Sequence, residues 1–384
     1  MGRAVRVALL TPILAPYRVP AFRALASTPD WDLRVFVNAE SEFDRSWNVD
    51  AQDLDVEFLP TLSIPRRDRT LHLAAPWSLG RALDRFGPDV VVSAELGSRS
   101  LGALLHCRRR RVPLVLWALP TRAHIDGADA LRRAVGPFLL KRAATIAVPG
   151  SEARRALHQW GVEDARIFTA PNCHDTEGFD KALAAVDRDA SLHALRAGLG
   201  TRERIALVAG RLFPVKGTAE LLAAWDLLPP NLRADWTLLF VGDGPLGERV
   251  VQAARAHPSG EIVRLPAVQP VDLVEFYAAA DLLVFPSLGD VWGLAVNEAM
   301  ACERPVLCST RAGCAEDLVF PGDTGWLADP ADPEAFALGL EQALTCKTRE
   351  TRGRRARECA ASFTPDAMAE GFRQAIRAAL RREE

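Results

Sequence analysis

The chain has 384 residues, 49% of them apolar and 25% charged, an ordinary globular composition at a length that requires two hydrophobic cores of about 180 residues each. A formal net charge of -2 supplies no general attraction to nucleic acid. Seven cysteines, an odd number without C-x-x-C spacing, argue against a disulfide framework and fit reduced thiols in a cytoplasm.

Arg3, Arg6 and an apolar run from Val7 imitate a secretory signal, but Pro12, Pro16, Arg18 and Arg23 interrupt it, so Val5–Leu10 reads as a first strand. No stretch approaches the length of apolar sequence that a membrane span requires. Short apolar runs at Val5–Leu10, Leu33–Val37, Val90–Ser93, Leu114–Ala118 and Thr145–Val148 alternate with segments of helical length. That alternation predicts repeated βα units, a parallel sheet with helices on both faces, and Arg166–Pro171 reads as the last strand of this half. Loops at strand C-termini line the ligand crevice of such a sheet. Arg18 is therefore a candidate for a phosphate or an acceptor, or else a surface arginine near a turn. Residues 44–69 are polar and weakly patterned, with Phe43, Trp47 and Trp77 beside or within them; long irregular segments often carry function, and acceptor contacts are expected there. Arg108–Arg111 are either a solvated helix end with cations at its negative pole or a contact for anionic lipid headgroups at a membrane surface. Ser151 is expected to cap the helix that follows Gly150.

From Gly178 to Arg204 the sequence is charged and helical, as an interdomain connector would be. A second set of strands follows at Ile205–Ala209, Trp236–Val241, Ile262–Leu265, Leu282–Phe285 and Val306–Ser309. Pro365–Arg381 closes the chain as an amphipathic helix with Met368, Phe372, Ile376 and Leu380 on one face. The most informative stretch is Leu282–Ser309. Its opening strand is stopped by Pro286, Ser287 and Gly289, and a helix should start at about Gly293. Free N–H groups and the positive dipole end there favour an anion. Asp290 stands before that helix and Glu298 within it, with seven residues between them. Amides for phosphate and carboxylates for hydroxyls suit a sugar joined to a nucleotide diphosphate, although Asp290 could instead cap the helix. Arg211 and Lys216 flank the turn after Ile205–Ala209. Two cations at the end of a buried strand suit a diphosphate leaving group, whose charge grows as its bond to the sugar breaks.

Asp290-x7-Glu298 followed by Ala299-Met300-Ala301, with Gly210-Arg211 and Lys216-Gly217 upstream and Pro171-Asn172-Cys173-His174-Asp175 between the halves, is similar to the retaining GT-B glycosyltransferases of the E-x7-E family, group 1. One departure is plain: Asp290 stands where the family usually has Glu. The resemblance implies a GT-B fold, two Rossmann-like doubly wound domains facing a central cleft, with the C-terminal helix crossing back to the first domain. It implies an acceptor-side domain over residues 1–178 with 363–384 and a nucleotide-sugar donor domain over 179–362. Arg211 and Lys216 would neutralise the diphosphate, Glu298 would accept hydrogen bonds from the ribose diol, Asp290 would hold the hydroxyls of the transferred sugar, and Gly293 and Leu294 amides would lie near sugar or phosphate. Gly210, Gly217 and Val268 join the donor set, and Arg18 and Glu95 the acceptor set. His124, in the loop Leu119–Asp129, is either the histidine that faces the reacting sugar in similar transferases or a plain loop histidine. The implied reaction moves a sugar from a nucleotide-diphosphate donor, in the first instance a UDP-sugar, to a hydroxyl acceptor without cofactor or divalent metal.

Two alternatives stay open at this point. Gly242-Asp243-Gly244-Pro245-Leu246-Gly247 matches the dinucleotide fingerprint, with Glu261 some twenty residues on, and would suit an NAD(P)-dependent oxidoreductase. The same stretch also reads as a tight turn with Pro245 at the first helical position. Asp290 in place of Glu would suit a catalytically silent subunit that binds a nucleotide sugar. The triplets Asp53-Leu54-Asp55 and Asp187-Arg188-Asp189 resemble the metal site of the other major transferase fold, but lie before a strand and in the charged connector.

Overall fold

The computed structural model describes residues 3–39, 49–65, 70–74, 76–120 and 130–382. It divides into two compact units, Met1–Asp175 with Phe363–Glu384, and Thr176–Ser362.

The first unit is built on strands β1 (Val5–Ile13), β2 (Trp31–Ala39), β3 (Val56–Phe58), β6 (Val90–Ala94), β7 (Leu114–Trp117), β8 (Thr145–Val148) and β9 (Ile167–Thr169). All pair in parallel in the order 3-2-1-6-7-8-9. The apolar runs are continuous because both faces are covered. Val7 and Leu9 of β1 face a core with Phe22, Leu25 and Phe372, while Ala8 and Leu10 face the opposite core with Leu83 and Leu104. The C-terminal helix Pro365–Arg381 belongs to the first of these cores, where Met368, Phe372 and Ile376 are fully enclosed. Phe372 meets Trp117 edge-on at 5.2 Å. Residues 44–69, read as weakly patterned, hold a strand of a two-stranded antiparallel hairpin, β4 (Thr61–Pro65) with β5 (Thr70–Ala74). Ser151 is not a cap: the helix Ser151–Gln159 has extended Gly150 at that position, with no side-chain cap.

The second unit holds β10 (Arg204–Ala209), β11 (Trp236–Val241), β12 (Ile262–Leu265), β13 (Leu282–Phe285), β14 (Val306–Ser309) and β15 (Gly325–Ala328). These are parallel in the order 12-11-10-13-14-15. β15, with Gly and Ala at its ends, carries little β propensity and was not expected. The charged stretch before β10 forms two helices, Thr176–Ala184 and Arg188–Leu199, the second capped by the Asp187 carboxylate. They are packed rather than loose: Ser191 Oγ donates to Glu275 at 2.8 Å, midway along the helix Pro270–Ala279, and Arg188 reaches Asp281 at 3.2 Å, just beyond that helix. No described helix is long and apolar enough to cross a membrane.

Candidate functional site

In the second sheet the direction of winding reverses between β10 and β13. The connections after these two strands leave on opposite faces, which opens a crevice at their carboxyl ends. The turn after β10 ends in the short helix Pro214–Lys216 and then Gly217, at φ 71°. A Cβ on Gly217 would lie 1.9 Å from the Pro286 carbonyl oxygen. Only glycine permits both that φ and that approach. The two turns are further joined by Leu288 N and Ser287 Oγ, which donate to Val215 O at 2.9 and 3.2 Å.

This contact brings Lys216 against Asp290. Lys216 Nζ pairs with Asp290 Oδ2 and stands 6.0 Å from the Phe285 ring centroid. Asp290 Oδ1 accepts from Trp292 N at 3.2 Å, and its carbonyl accepts from Gly313 N at 3.0 Å. Trp292 is buried and donates from Nε1 to Asn297 at 2.8 Å, which clamps the turn to the helix it precedes. Asp290 does not cap that helix, Leu294–Ala301, whose N-cap is Gly293 with no side-chain bond. The shorter arm of Asp is used in the pair with lysine.

Glu298 lies one turn into the helix, half-buried, with Oε2 accepting from Tyr277 Oη at 2.7 Å. Burial raises the Glu298 carboxyl above its usual range, and the Tyr277 bond opposes the rise. The same burial, with Glu298 adjacent, pushes the Tyr277 phenol well up. Sequence reasoning missed Tyr277; its one signal is a tyrosine, of two in the chain, within the apolar helix Pro270–Ala279. Arg211 stacks 5.0 Å from the Phe213 ring, and a Cβ on Gly210 would meet nothing within 4 Å. Gly210, Arg211, Lys216, Gly217, Asp290, Gly293 and Leu294 thus gather at the ends of β10 and β13. Val268 does not join them directly. It follows β12, two strands from β10, in a loop held by Asp243, which accepts from Ala267 N at 2.8 Å.

In the first sheet the winding reverses between β1 and β6. Arg18 follows β1 and Glu95 follows β6, so both occupy that switch point. Two residues not anticipated from sequence stand beside them: Arg99, 4.0 Å from the Glu95 carboxylate, and Asn38, which accepts from Arg99 at 2.6 Å. His124 lies outside the described residues, as do Phe43 and Trp47.

A family model described as glycosyl transferases group 1 matches residues 195–359, and one described as glycosyl transferase 4-like domain matches residues 15–173. This chain belongs to the group 1 glycosyltransferases. It is 31% identical to the D-inositol 3-phosphate glycosyltransferase of Acidothermus cellulolyticus over 267 residues, 66% of this chain and 58% of that protein. It is 36% identical to the O-antigen chain mannosyltransferase B of Escherichia coli over 144 residues, 36% of each chain. The chain thus spans 58% and 36% of the lengths of these two curated relatives. Among solved structures, Anabaena Alr3699/HepE in complex with UDP superposes with a TM-score of 0.74 at 17% identity, covering 97% of this chain and 99% of that one. Sucrose-phosphate synthase from Thermosynechococcus elongatus gives 0.72 at 20% identity, covering 97% and 98%. The fold is GT-B: two Rossmann-like parallel-sheet units.

For a group 1 glycosyltransferase the glycine fingerprint needs a different explanation, and packing supplies it. A Cβ on Gly242 would lie 1.9 Å from Gly210 O, and one on Gly244 would lie 2.5 Å from Leu212 O. These glycines admit the turn after β10, not a pyrophosphate. Pro245 is not a first helical residue; the helix is Gly247–Ala256 with Leu246 as its N-cap. Glu261 stands at the amino end of β12, away from the carboxyl edge where a ribose would lie. It is 4% exposed and accepts from Arg233 at 2.8 Å and Trp225 Nε1 at 3.2 Å. The nicotinamide reading therefore has no support. The D-x-D triplets are also engaged structurally: Asp53 pairs with Arg23 and Asp55 with Arg34, each at 2.7 Å, and Asp187 caps its helix.

Proposed function

We propose that this chain transfers a hexosyl- or N-acetylhexosaminyl-type sugar from a nucleotide-diphosphate sugar, in the first instance a UDP-sugar, to a hydroxyl acceptor, with retention of configuration and without a divalent metal. The observation that carries this reading is the Lys216–Asp290 pair at the β10–β13 switch point, beside a helix start whose amides no side chain caps. UDP and UDP-glucose complexes of HepE, which has the same fold, support the choice of base. On donor binding, a phosphate oxygen replaces Asp290 as the partner of Lys216, and Asp290 becomes the acceptor for sugar hydroxyls. The bond from the anomeric carbon to the diphosphate oxygen breaks, and the bond to the acceptor oxygen forms on the same face. The acceptor proton passes to the leaving diphosphate, so the products are a glycoside and a nucleoside diphosphate. Arg211, Lys216 and the helix start stabilise the charge that develops on the leaving group. Glu298 holds the ribose diol.

Thermal unfolding with UDP, GDP, TDP, ADP and NAD in separate samples, EDTA present throughout, tests this. At about 100 times its dissociation constant a ligand stabilises by roughly 2.7 kcal/mol. The expected result is a shift of several degrees with UDP; a shift with NAD alone would overturn the reading.

A further inference from the structure

We infer that the β1–β6 switch point of the first unit is an oxyanion site, and that the acceptor of this transferase bears a phosphate ester or a carboxylate there. The assignment to the acceptor rests on the transferase reading; the anion site does not.

Arg99, in the first turn of the helix Ser98–Arg110, has a side chain only 8% exposed. A buried guanidinium ordinarily demands a carboxylate at contact distance. The nearest here is Glu95, at 4.0 Å, and that side chain is 58% exposed. Arg99 is instead positioned by neutral groups, its Nε donating to Asn38 Oδ1 at 2.6 Å and Nη1 to Ala94 O at 3.4 Å. Asn38 is fixed in turn by donating to Thr61 Oγ1 at 3.1 Å.

Arg18 approaches from β1. Its guanidinium lies 4.5 Å from the Trp117 ring centroid, and Nη1 reaches Thr11 Oγ1 at 3.3 Å. No carboxylate among the described residues pairs with it. Its Nε and the indole Nε1 of fully buried Trp117 have no hydrogen-bond partner there either. Unmade buried bonds of this kind cost about 1–3 kcal/mol each, and a bound oxyanion would satisfy such donors. Burial lowers the Arg99 pKa, Glu95 opposes this, and Arg18 adds to it. Like charges have thus been brought together, with the exposed Glu95 carboxylate at 4.0 Å as the partial counterweight.

Glu95 holds a left-handed backbone, φ 71°, outside glycine's usual monopoly. It is kept there by its N–H to Trp117 O at 2.9 Å and by Ser100 Oγ donating to its carbonyl at 2.5 Å. Strain of this kind persists where surrounding structure over-determines it, commonly at ligand sites. Arginine forks match phosphate and carboxylate oxygens, and the exposed Glu95 carboxylate remains to accept an acceptor hydroxyl.

The test titrates inorganic phosphate, and separately acetate, at constant ionic strength into the full chain, read by calorimetry. Wild type and the Lys216→Ala variant should bind one of them saturably and alike, because the anion site lies in the first unit. Arg18→Gln should weaken binding at least tenfold, Arg99→Lys should weaken it as well, and Glu95→Gln should strengthen it by removing a competing charge. Preference for phosphate assigns a phosphate ester, and preference for acetate a carboxylate. No saturable binding, or Arg18→Gln and Glu95→Gln both behaving as wild type, would overturn the inference. Loss in Lys216→Ala alone would place the anion in the second unit and also overturn it. The UDP shift is scored separately: its absence beside intact phosphate binding would remove the donor reading and leave the anion site standing.

Discussion

The two sheets reverse direction at corresponding places, and the chain has furnished those places by different means. At the β10–β13 point the turns are rich in glycine and touch backbone to backbone, and a lysine is already neutralised by an aspartate. At the β1–β6 point no glycine is pressed between the turns; two arginines, a tryptophan and a strained glutamate line it instead. The first arrangement is narrow and charge-balanced, suited to a ligand whose phosphates enter along main-chain amides. The second carries excess positive charge, suited to recognition through side chains. A shared sheet topology therefore decides where a ligand can sit, and the residues in the two turns decide what it is.

The comparison breaks first at Lys216. Lys216→Ala should lower kcat by about 10²–10³-fold, the usual cost of losing one group that stabilises developing negative charge. Arg18→Gln, at the other switch point, should act through the acceptor KM; steady-state rates with a UDP-sugar separate the two. A rise in the donor KM with kcat unchanged after Lys216→Ala would contradict the role given to it.

The next largest effect is on stability. Gly217→Ala drives a Cβ into Pro286 O at a φ that alanine avoids and should cost about 3 kcal/mol, visible as a fall in Tm of several degrees.

Glu298→Gln sharpens the comparison by opposing binding and stability. Because the folded carboxyl is raised, the folded state holds the proton more tightly than the unfolded one. That contribution is present below the unfolded carboxyl pKa and is lost as pH rises through the folded one. The variant lacks the buried charge, so its Tm should gain on wild type as pH climbs from about 4 to 7, while its UDP-induced shift shrinks. Parallel Tm curves over that range would refute the burial argument.

The smallest effect belongs to Gly97→Ala at the first switch point. Gly97 caps the helix Ser98–Arg110 in an extended conformation, and a Cβ there meets nothing within 4 Å. A cost of only about 0.5–1 kcal/mol, that of a poorer N-cap, is expected in chemical denaturation. A cost equal to that of Gly217→Ala would mean that the two turns are equally crowded after all.

Much of this was legible in the amino-acid sequence, because it depends on neighbours along the chain. Continuous apolar runs such as Leu282–Phe285 announce strands buried on both faces, and Pro286 to Gly293 announce a turn followed by a helix start; the spacing from Asp290 to Glu298 follows from that local geometry. The hairpin β4–β5 and the strand β15 escaped notice, since short segments with weak β propensity depend on partners for their structure. Only the tertiary structure decided the pairings that make the sites. Lys216 and Asp290 are 74 residues apart, Arg99 and Asn38 are 61 apart, and Tyr277 and Glu298 meet from different helices. A parallel sheet sets such pairs through the order of its strands, and strand order is fixed by how crossovers pack, not by any periodicity within a strand. The same reason turned a convincing dinucleotide fingerprint into packing: the pattern of Gly242, Gly244 and Gly247 is local, but the backbone of Gly210 and Leu212 that makes the first two necessary comes from the neighbouring strand.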